Sequence, residues 1–91
     1  MGHINSDASD LVARVRKIAG QVASIETALS ADAPCATILH RIAAARGAMN
    51  SLLDEVIVAH LDAHVAAPDL SDEQRARAAE ELKAVIRRYT K

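Results

Sequence analysis

The sequence predicts an all-α fold of three helices, in a protein that associates with copies of itself. Apolar residues recur at intervals of three and four, the spacing of one helix face, and no segment alternates as a half-buried strand does. The chain has 91 residues, of which 51% are hydrophobic but only 1% aromatic. A chain of this length buries only about 60–65% of its unfolded surface alone, so we expect association to supply part of the stability.

The first helix is expected from about Asp7 to Leu29. Its apolar stripe consists of Leu11, Val15, Ile18, Val22, Ile25 and Leu29. Ser6 or Asp7 is the expected N-cap, because either side chain accepts a hydrogen bond from a free amide of the first turn. We expect residues 1–6, ahead of this helix, to form a flexible N-terminal arm.

The second helix is expected from about Pro34 to Ala66. Proline suits its first turn, where the missing amide hydrogen is not needed, and Pro68 stops the helix at its other end. Its two apolar stripes are Ile38, Ile42, Ala45, Met49, Leu52 and Val56, and, on the neighbouring face, Leu53, Ile57, His60 and His64. About 32 residues at ~1.5 Å each make a rod of roughly 48 Å. One small chain cannot wrap such a rod, so its ends need a partner chain.

The third helix opens with the run Ser71-Asp72-Glu73-Gln74, the signature of a capping box. The apolar seam that follows is Ala78, Leu82, Val85 and Tyr89. The helix also carries arginines interleaved with glutamates, a pattern that indicates a solvated face. These arginines are Arg75, Arg77, Arg87 and Arg88. All three helices are expected to belong to one domain, residues 1–91.

Composition and charge exclude several classes of protein. A single cysteine rules out an internal disulfide framework and favours a reducing compartment. No apolar run approaches the ~20 residues of a membrane span, and the N-terminus lacks the features of a signal peptide, so we expect a cytoplasmic protein without membrane contact. The net charge is −1, so any binding of DNA must come from a local basic patch.

Histidines and the single cysteine are the residues that indicate chemistry. His60 and His64 are four positions apart, so both imidazoles leave one helix face about 6 Å apart and can share a metal ion. Cys35 precedes His60 by 25 residues, or roughly 37 Å along the helix. One chain cannot bring them together, whereas two antiparallel copies that cross at the small residues Gly47 and Ala48 can. The alternative is that both histidines are solvent-facing or partly packed.

His3, on the N-terminal arm, is the fourth candidate ligand. One thiolate and three imidazoles suit borderline divalent ions, namely Ni(II), Co(II) and Zn(II), whereas Cu(I) prefers more sulfur. His3 is also compatible with a remnant of an expression vector, where Gly-His is common. A cysteine beside histidines could instead be a nucleophile, but no triad order or oxyanion loop is evident, so we expect no enzyme activity. His40, on a different face from His60, is expected to be an ordinary surface histidine.

A basic cluster on the first helix makes nucleic acid a candidate partner. The cluster consists of Arg14, Arg16, Lys17 and Gln21, to which the second helix adds Arg41 and Arg46. Arginine and lysine bind phosphates, and glutamine can bond a base edge or the backbone. A solvated helix face is the alternative, but an oligomer multiplies the patch and offsets the nearly neutral overall charge.

Three stretches of the sequence together resemble a known family. They are VRKIAGQV at 15–22, CATIL at 35–39 with IAAARGA at 42–48, and HLDAH at 60–64. The chain is similar over nearly its whole length to the CsoR/RcnR/FrmR family of small bacterial repressors. The resemblance implies an all-α homotetramer of antiparallel dimers, which binds GC-rich operator DNA without a helix-turn-helix. It also implies that Arg14, Lys17 and Gln21 contact the DNA and that an effector weakens this contact.

The ligand set distinguishes the effectors within this family. Its nickel and cobalt sensors carry His, Cys, His and His, and this set looks like His3, Cys35, His60 and His64. The resemblance therefore implies Ni(II) or Co(II) as effector and derepression of a metal exporter. The copper sensors instead carry cysteine at the position of His64. The formaldehyde sensors have proline at the position of Gly2 and usually lack a histidine at the position of His64, so this chain departs from their pattern at both positions. A formaldehyde-responsive repressor that uses Cys35 is nevertheless the alternative, and a metal-binding helical bundle that binds no DNA is a third.

Overall fold

A computed structural model of the chain describes residues 8–89, and these residues form three α-helices. They are α1 (Ala8–Ser30), α2 (Cys35–His64) and α3 (Asp72–Tyr89), and no strand occurs within this span. The predicted all-α fold of three helices is therefore confirmed. The predicted N-cap (Ser6 or Asp7), the arm at 1–6 and His3 lie outside the described residues. Along residues 8–89, no helix combines the length and the hydropathy that a bilayer span requires.

α1 ends in a Schellman motif. The Ala33 amide donates to the Ala28 carbonyl at 2.9 Å, and the Asp32 amide donates to the Leu29 carbonyl at 3.2 Å. Asp32 occupies the left-handed position of this motif, with φ 56°. Aspartate tolerates that conformation better than most residues because its short side chain can bond locally. The motif satisfies the last carbonyls of α1 and turns the chain toward α2.

Both ends of α2 differ slightly from the prediction. Pro34 precedes the helix, and its carbonyl accepts the first helical hydrogen bond, 3.3 Å from the Ile38 amide. At the other end the helix stops at His64, because the Ala66 amide reaches back to the Leu61 carbonyl at 2.8 Å. That bond spans five residues instead of the four of an α-helix, so the chain leaves the helical path two residues earlier than predicted.

The described residues divide into two compact units, 8–54 and 55–89. In the first unit, which contains α1 and the first part of α2, the buried residues are Ile18, Ala28 and Ala45. All three are apolar and two are alanines, so this core is thin. Such a core is what a chain without Trp or Phe can build from small side chains.

A hydrogen bond from Arg41 joins α2 to α1 in the 8–54 unit. Its Nη1 donates to the Ser24 carbonyl at 2.9 Å, across 17 residues of sequence. A charged donor on a backbone carbonyl makes a stronger hydrogen bond than a neutral one. The sequence indicated only that Arg41 adds positive charge to the cluster, whereas the structure also gives it a structural contact.

α3 of the 55–89 unit begins with the predicted capping box. The Ser71 amide donates to Gln74 Oε1 at 2.9 Å, and the Gln74 amide donates to Ser71 Oγ at 3.0 Å. Each side chain satisfies the backbone amide of the other, as the motif requires. Farther along α3, Ala78 and Leu82 of the predicted seam are buried. The start of the helix is therefore confirmed. The predicted seam is confirmed in part, because Val85 is half-buried and Tyr89, at the end of the helix, is 62% exposed.

Arg75 is not the solvated residue that the sequence predicts. Its Nε donates to the Val65 carbonyl at 2.7 Å, and its Nη2 donates to the Ala67 carbonyl at 2.9 Å and to the Leu70 carbonyl at 3.5 Å. Only 36% of its side chain is exposed. One guanidinium therefore binds three carbonyls of the connection between α2 and α3. Its fork of donors, which lysine lacks, makes this arrangement feasible.

Other charges of α3 do lie on a solvated face, as predicted. Arg77 pairs with Glu73 at 3.0 Å and Lys83 pairs with Glu80 at 2.7 Å, and all four side chains are exposed. The hydrogen bond and the charge of Lys83 lower the pKa of the Glu80 carboxyl below its usual range. Exposed pairs of this kind contribute little to stability, because water and salt screen them.

One chain leaves much of its apolar stripes uncovered. In α1, Val15, Val22 and Leu29 are 48%, 52% and 60% exposed. In α2, Ile42 and Met49 are 45% and 51% exposed. Apolar surface arranged in continuous stripes is typical of a contact with another protein chain. The exposure therefore supports the expected association between copies of the chain.

Candidate functional site

α2 ends with two histidines whose rings lie close together. His60 and His64 are one helical turn apart, and their ring centroids are 4.9 Å apart with a tilt of 47° between the planes. Both residues are half-buried. Imidazole nitrogens are ligands that suit Ni(II), Co(II) and Zn(II). This histidine pair can therefore supply two ligands to one ion.

The backbone of α3 favours one tautomer of His60. Its Nε2 lies 3.4 Å from the Ala78 carbonyl, which can only accept a hydrogen bond. In the neutral ring this contact places the hydrogen on Nε2 and the lone pair on Nδ1, so Nδ1 is the nitrogen that can bind a metal ion. Metal-binding histidines commonly donate their other ring nitrogen to a carbonyl in this way, which fixes the orientation of the ring.

The histidine pair opens into a cavity of about 320 Å³ in the 55–89 unit. The cavity is lined by His60, His64, Leu70, Gln74, Arg77, Ala78 and Glu81. Its volume is sufficient for a hydrated ion or for a side chain that enters from another chain. Glu81 and Gln74, which carry a carboxylate and an amide, are also among the lining residues. The cavity therefore offers two nitrogen ligands together with access for further ligands.

Cys35 does not join the histidine pair within the part of one chain that the structure describes. Cys35 is the first residue of α2 and is exposed, with its thiol outside any disulfide, and His3 lies outside the described residues. Across residues 8–89, no three His, Cys, Asp or Glu side chains are close enough to hold one metal ion. A complete site therefore requires ligands from the N-terminal segment or from another chain. His40 is exposed, as expected of a surface histidine.

The basic residues of α1 line a pocket of about 450 Å³ in the 8–54 unit. This basic pocket is formed by Arg14, Lys17, Ile18, Gln21, Ala48 and Ser51. The Nη2 of Arg14 donates to the Oγ of Ser51 at 2.7 Å. Arg14 and Gln21 are half-buried, whereas Lys17 is exposed. The structure thus brings three of the predicted DNA contacts to one pocket.

Arg16 and Arg46, the other predicted DNA contacts, are exposed and are not among the residues that line this pocket. The Oε1 of Gln21 is buried, with no hydrogen-bond partner among residues 8–89. A buried acceptor of this kind requires a donor, from water or from a ligand. Ser51 is a wall residue that the motifs do not predict. Its sequence signal is its place three residues after Ala48, which puts both on one face of α2.

Comparison with known proteins gives a family match and several relatives. Residues 7–88 match a family model described as a metal-sensitive transcriptional repressor. The chain is 42% identical over 91 residues to an uncharacterized protein in the bioA 5′ region of Serratia marcescens, with 100% of both chains covered. It is 41% identical over 87 residues to the transcriptional repressor RcnR of Salmonella paratyphi B, and the alignment covers 96% of this chain and 92% of RcnR.

One solved structure is similar over nearly the whole chain. It is a variant of the formaldehyde-responsive regulator FrmR from Salmonella enterica serovar Typhimurium, with a TM-score of 0.88 and 39% sequence identity. The alignment covers 97% of this chain and 99% of that chain. The matched family consists of transcriptional repressors and not of enzymes. These similarities agree with the expected repressor fold and leave the effector to be determined by the ligands.

Proposed function

This chain belongs to the family of metal-sensitive transcriptional repressors, as its motifs predicted, and we propose that it represses a metal exporter gene until Ni(II) or Co(II) binds. The observation that carries the proposal is the pairing of His60 and His64 at one cavity. A nitrogen-rich ligand set favours divalent ions of this class over Cu(I), which prefers sulfur. Zn(II) fits the same ligands and is a third candidate.

In the proposed metal centre, two antiparallel protomers share their ligands. Cys35 of one protomer meets the histidine pair of the other, and His3 adds a nitrogen from the N-terminal segment. The exposure of Cys35 and of the apolar stripes supports this arrangement. Gly47, near the proposed crossing of the two α2 helices, faces open space in one chain, since a Cβ added there meets no atom within 4 Å. That space leaves room for a second helix.

The proposed DNA interface is the basic face of α1, extended by one residue of α2. Its residues are Arg14, Arg16, Lys17, Gln21 and Arg46. A homotetramer of two antiparallel dimers presents this face once per protomer, which offsets a net charge of only −1 per chain. Contacts to phosphates fix the protein on a GC-rich duplex, and Gln21 can contribute to base selection. In this proposal residues 1–91 act as one repressor domain, at its operator in the cytoplasm.

The predicted ligands are connected to both ends of the helix that contacts DNA. Cys35 follows α1 after the turn at 31–34, and the segment that carries His3 precedes α1. When Cys35 and His3 move toward a histidine pair, α1 is displaced at both ends from its phosphate contacts. A coupling free energy of about 1–3 kcal/mol between the two sites, or roughly 5- to 150-fold in affinity, is sufficient for a switch.

An operator titration at fixed salt tests this proposal. The probe is a duplex that the metal-free protein selects from a GC-rich random library, titrated with and without Ni(II). We expect Ni(II) to raise the Kd by about 5- to 150-fold, and a chelator to restore the original value. If Ni(II), Co(II) and Zn(II) all leave the Kd unchanged, the proposal of a metal effector is wrong. If no duplex is selected, the proposal of DNA binding is wrong.

A formaldehyde-responsive repressor is the second candidate, favoured by the exposed thiol of Cys35 and by the similarity to the FrmR variant. In that chemistry the thiolate attacks the formaldehyde carbon, and an amine then displaces the hydroxyl group, which leaves as water. One methylene group thereby joins the sulfur to a nitrogen. If this candidate is right, mass spectrometry after treatment shows the bridge in the wild type and not in Cys35→Ser, and formaldehyde but not Ni(II) releases the duplex.

A further inference from the structure

We infer that Ser51 positions Arg14 for DNA contact, and that the basic pocket binds one phosphate of the DNA backbone. The inference rests on the proposed function and adds a residue that lies outside the predicted set of DNA contacts. Ser51 belongs to α2 and is 37 residues from Arg14 in sequence, yet its Oγ is 2.7 Å from the Nη2 of Arg14. This side-chain hydrogen bond joins the basic face of α1 to a side chain of α2.

The hydrogen bond leaves both partners able to bind an anion. A serine hydroxyl has two acceptor sites and one hydrogen, so Ser51 accepts from Arg14 and retains its own hydrogen to donate. A guanidinium has five N–H donors, and the bond to Ser51 uses one of them. Arg14 and Ser51 can therefore hold each other and still donate to the oxygens of one phosphate.

The lining of the basic pocket suits a phosphate. Two of its six wall residues, Arg14 and Lys17, are cationic, and none of the six is acidic. The pocket has a volume of about 450 Å³ and lies on the surface, since Lys17 is exposed. Arginine binds phosphate through paired donors and lysine acts as a point charge, so the two complement each other on one group. The most abundant such anion on operator DNA is a backbone phosphate.

The contribution of Ser51 is to orient Arg14 before DNA arrives. A free arginine side chain samples many rotamers, and fixing one of them opposes binding. A hydrogen bond that already restricts these rotamers lowers this entropic cost and so raises the affinity. Arg14 is half-buried, which restricts it further. Ser51 thus acts on DNA mainly through Arg14, and removal of its hydroxyl is expected to matter only while Arg14 is present.

Variants at position 51 test this role with the duplex selected by the metal-free protein. Ser51→Thr and Ser51→Val have nearly the same shape, but only threonine retains the hydroxyl. We expect Ser51→Thr to bind the duplex within about twofold of the wild type, and Ser51→Val and Ser51→Ala to bind about tenfold more weakly. Ser51→Ala, in an exposed helical position, also favours the helix. Ser30→Ala, the same change at an exposed site of α1, is the control and is expected to bind normally.

The salt dependence of binding separates positioning from a general structural effect. Each lost phosphate contact reduces the magnitude of the negative slope of log Kobs against log salt by about 0.9, whereas a loss of folding does not change the number of contacts. We expect Arg14→Ala to reduce this dependence by about 0.9, and Ser51→Val to reduce it by a smaller amount, because Arg14 without Ser51 contacts the phosphate in only part of the complexes. In the double variant Arg14→Ala/Ser51→Val, the second change is expected to add less than about twofold to the first, because both remove one interaction.

Three outcomes overturn the inference without affecting the proposed function. The first is that Ser51→Val binds the duplex as the wild type does, while Arg14→Ala binds weakly. The second is that the two changes weaken binding independently in the double variant. The third is that Ser51→Val weakens binding without changing the salt slope. If the wild type binds no duplex at all, the proposed function fails, and the inference fails with it.

Discussion

With His64 replaced by alanine, Ni(II) is expected to leave the affinity for operator DNA almost unchanged. The ring centroids of His60 and His64 are 4.9 Å apart and both residues line one cavity, so the two imidazoles can hold one ion together, and loss of one leaves only three of the four proposed ligands. Even changes to groups behind a ligand reduce metal affinity by about 10- to 100-fold, and loss of a ligand exceeds that. The factor by which Ni(II) raises the Kd for operator DNA, proposed to be about 5- to 150-fold, then falls toward one. Calorimetric titration with Ni(II) and operator titrations at one Ni(II) concentration measure both effects.

His40→Ala is the matched control for this result. His40 is also a histidine of α2, but it is exposed and is not among the residues that line the cavity. The change removes one imidazole and retains the pair, so the response to Ni(II) is expected to persist in full. A His64→Ala variant that responds to Ni(II) as strongly as His40→Ala contradicts the assignment of the histidine pair to the metal centre.

The features that sequence predicts well here are local ones. The capping box requires only Ser71 and Gln74, three positions apart, and the helical spacing of His60 and His64 places both rings on one face. The apolar stripes, together with the prolines and the capping box, likewise locate both ends of α1 and α2 and the start of α3 to within two residues. Local spacing is sufficient in these cases because helix geometry converts a sequence interval directly into a distance.

The features that sequence does not predict join residues far apart in the chain. Ser51 accepts from Arg14 across 37 residues, and Arg41 donates to the backbone of Ser24 across 17. A backbone acceptor leaves no mark in the sequence, since every residue has a carbonyl. For the same reason Arg75 resembles any arginine interleaved with glutamates. The further ligands of the proposed metal centre are still harder to predict from the sequence, because their position depends on a second chain.

Replacement of Arg75 by alanine is expected to lower the free energy of unfolding by about 2–3 kcal/mol. The guanidinium makes two short hydrogen bonds, to the carbonyls of Val65 and Ala67, and a longer one to Leu70. These carbonyls lie just beyond α2, where a cation is also favourable for the helix dipole. Truncation of Arg75 leaves these carbonyls without their donor. Because this site is partly exposed, water can replace some of the lost hydrogen bonds. Urea denaturation followed by circular dichroism, at one protein concentration, measures the change.

Arg77→Ala is the matched control, because Arg77 is an exposed arginine of the same helix that pairs with exposed Glu73. Its loss is expected to change stability by less than about 0.5 kcal/mol. Arg75→Lys keeps the charge but not the fork of donors, so it is expected to recover less than half of the loss. Equal effects of Arg75→Ala and Arg77→Ala contradict the structural role of Arg75.

Arg75→Ala is also expected to weaken Ni(II) binding, because the connection that Arg75 holds includes Leu70, which lines the cavity of the histidine pair. Arg77→Lys keeps a cation among the residues that line this cavity, so it is expected to leave Ni(II) binding unchanged.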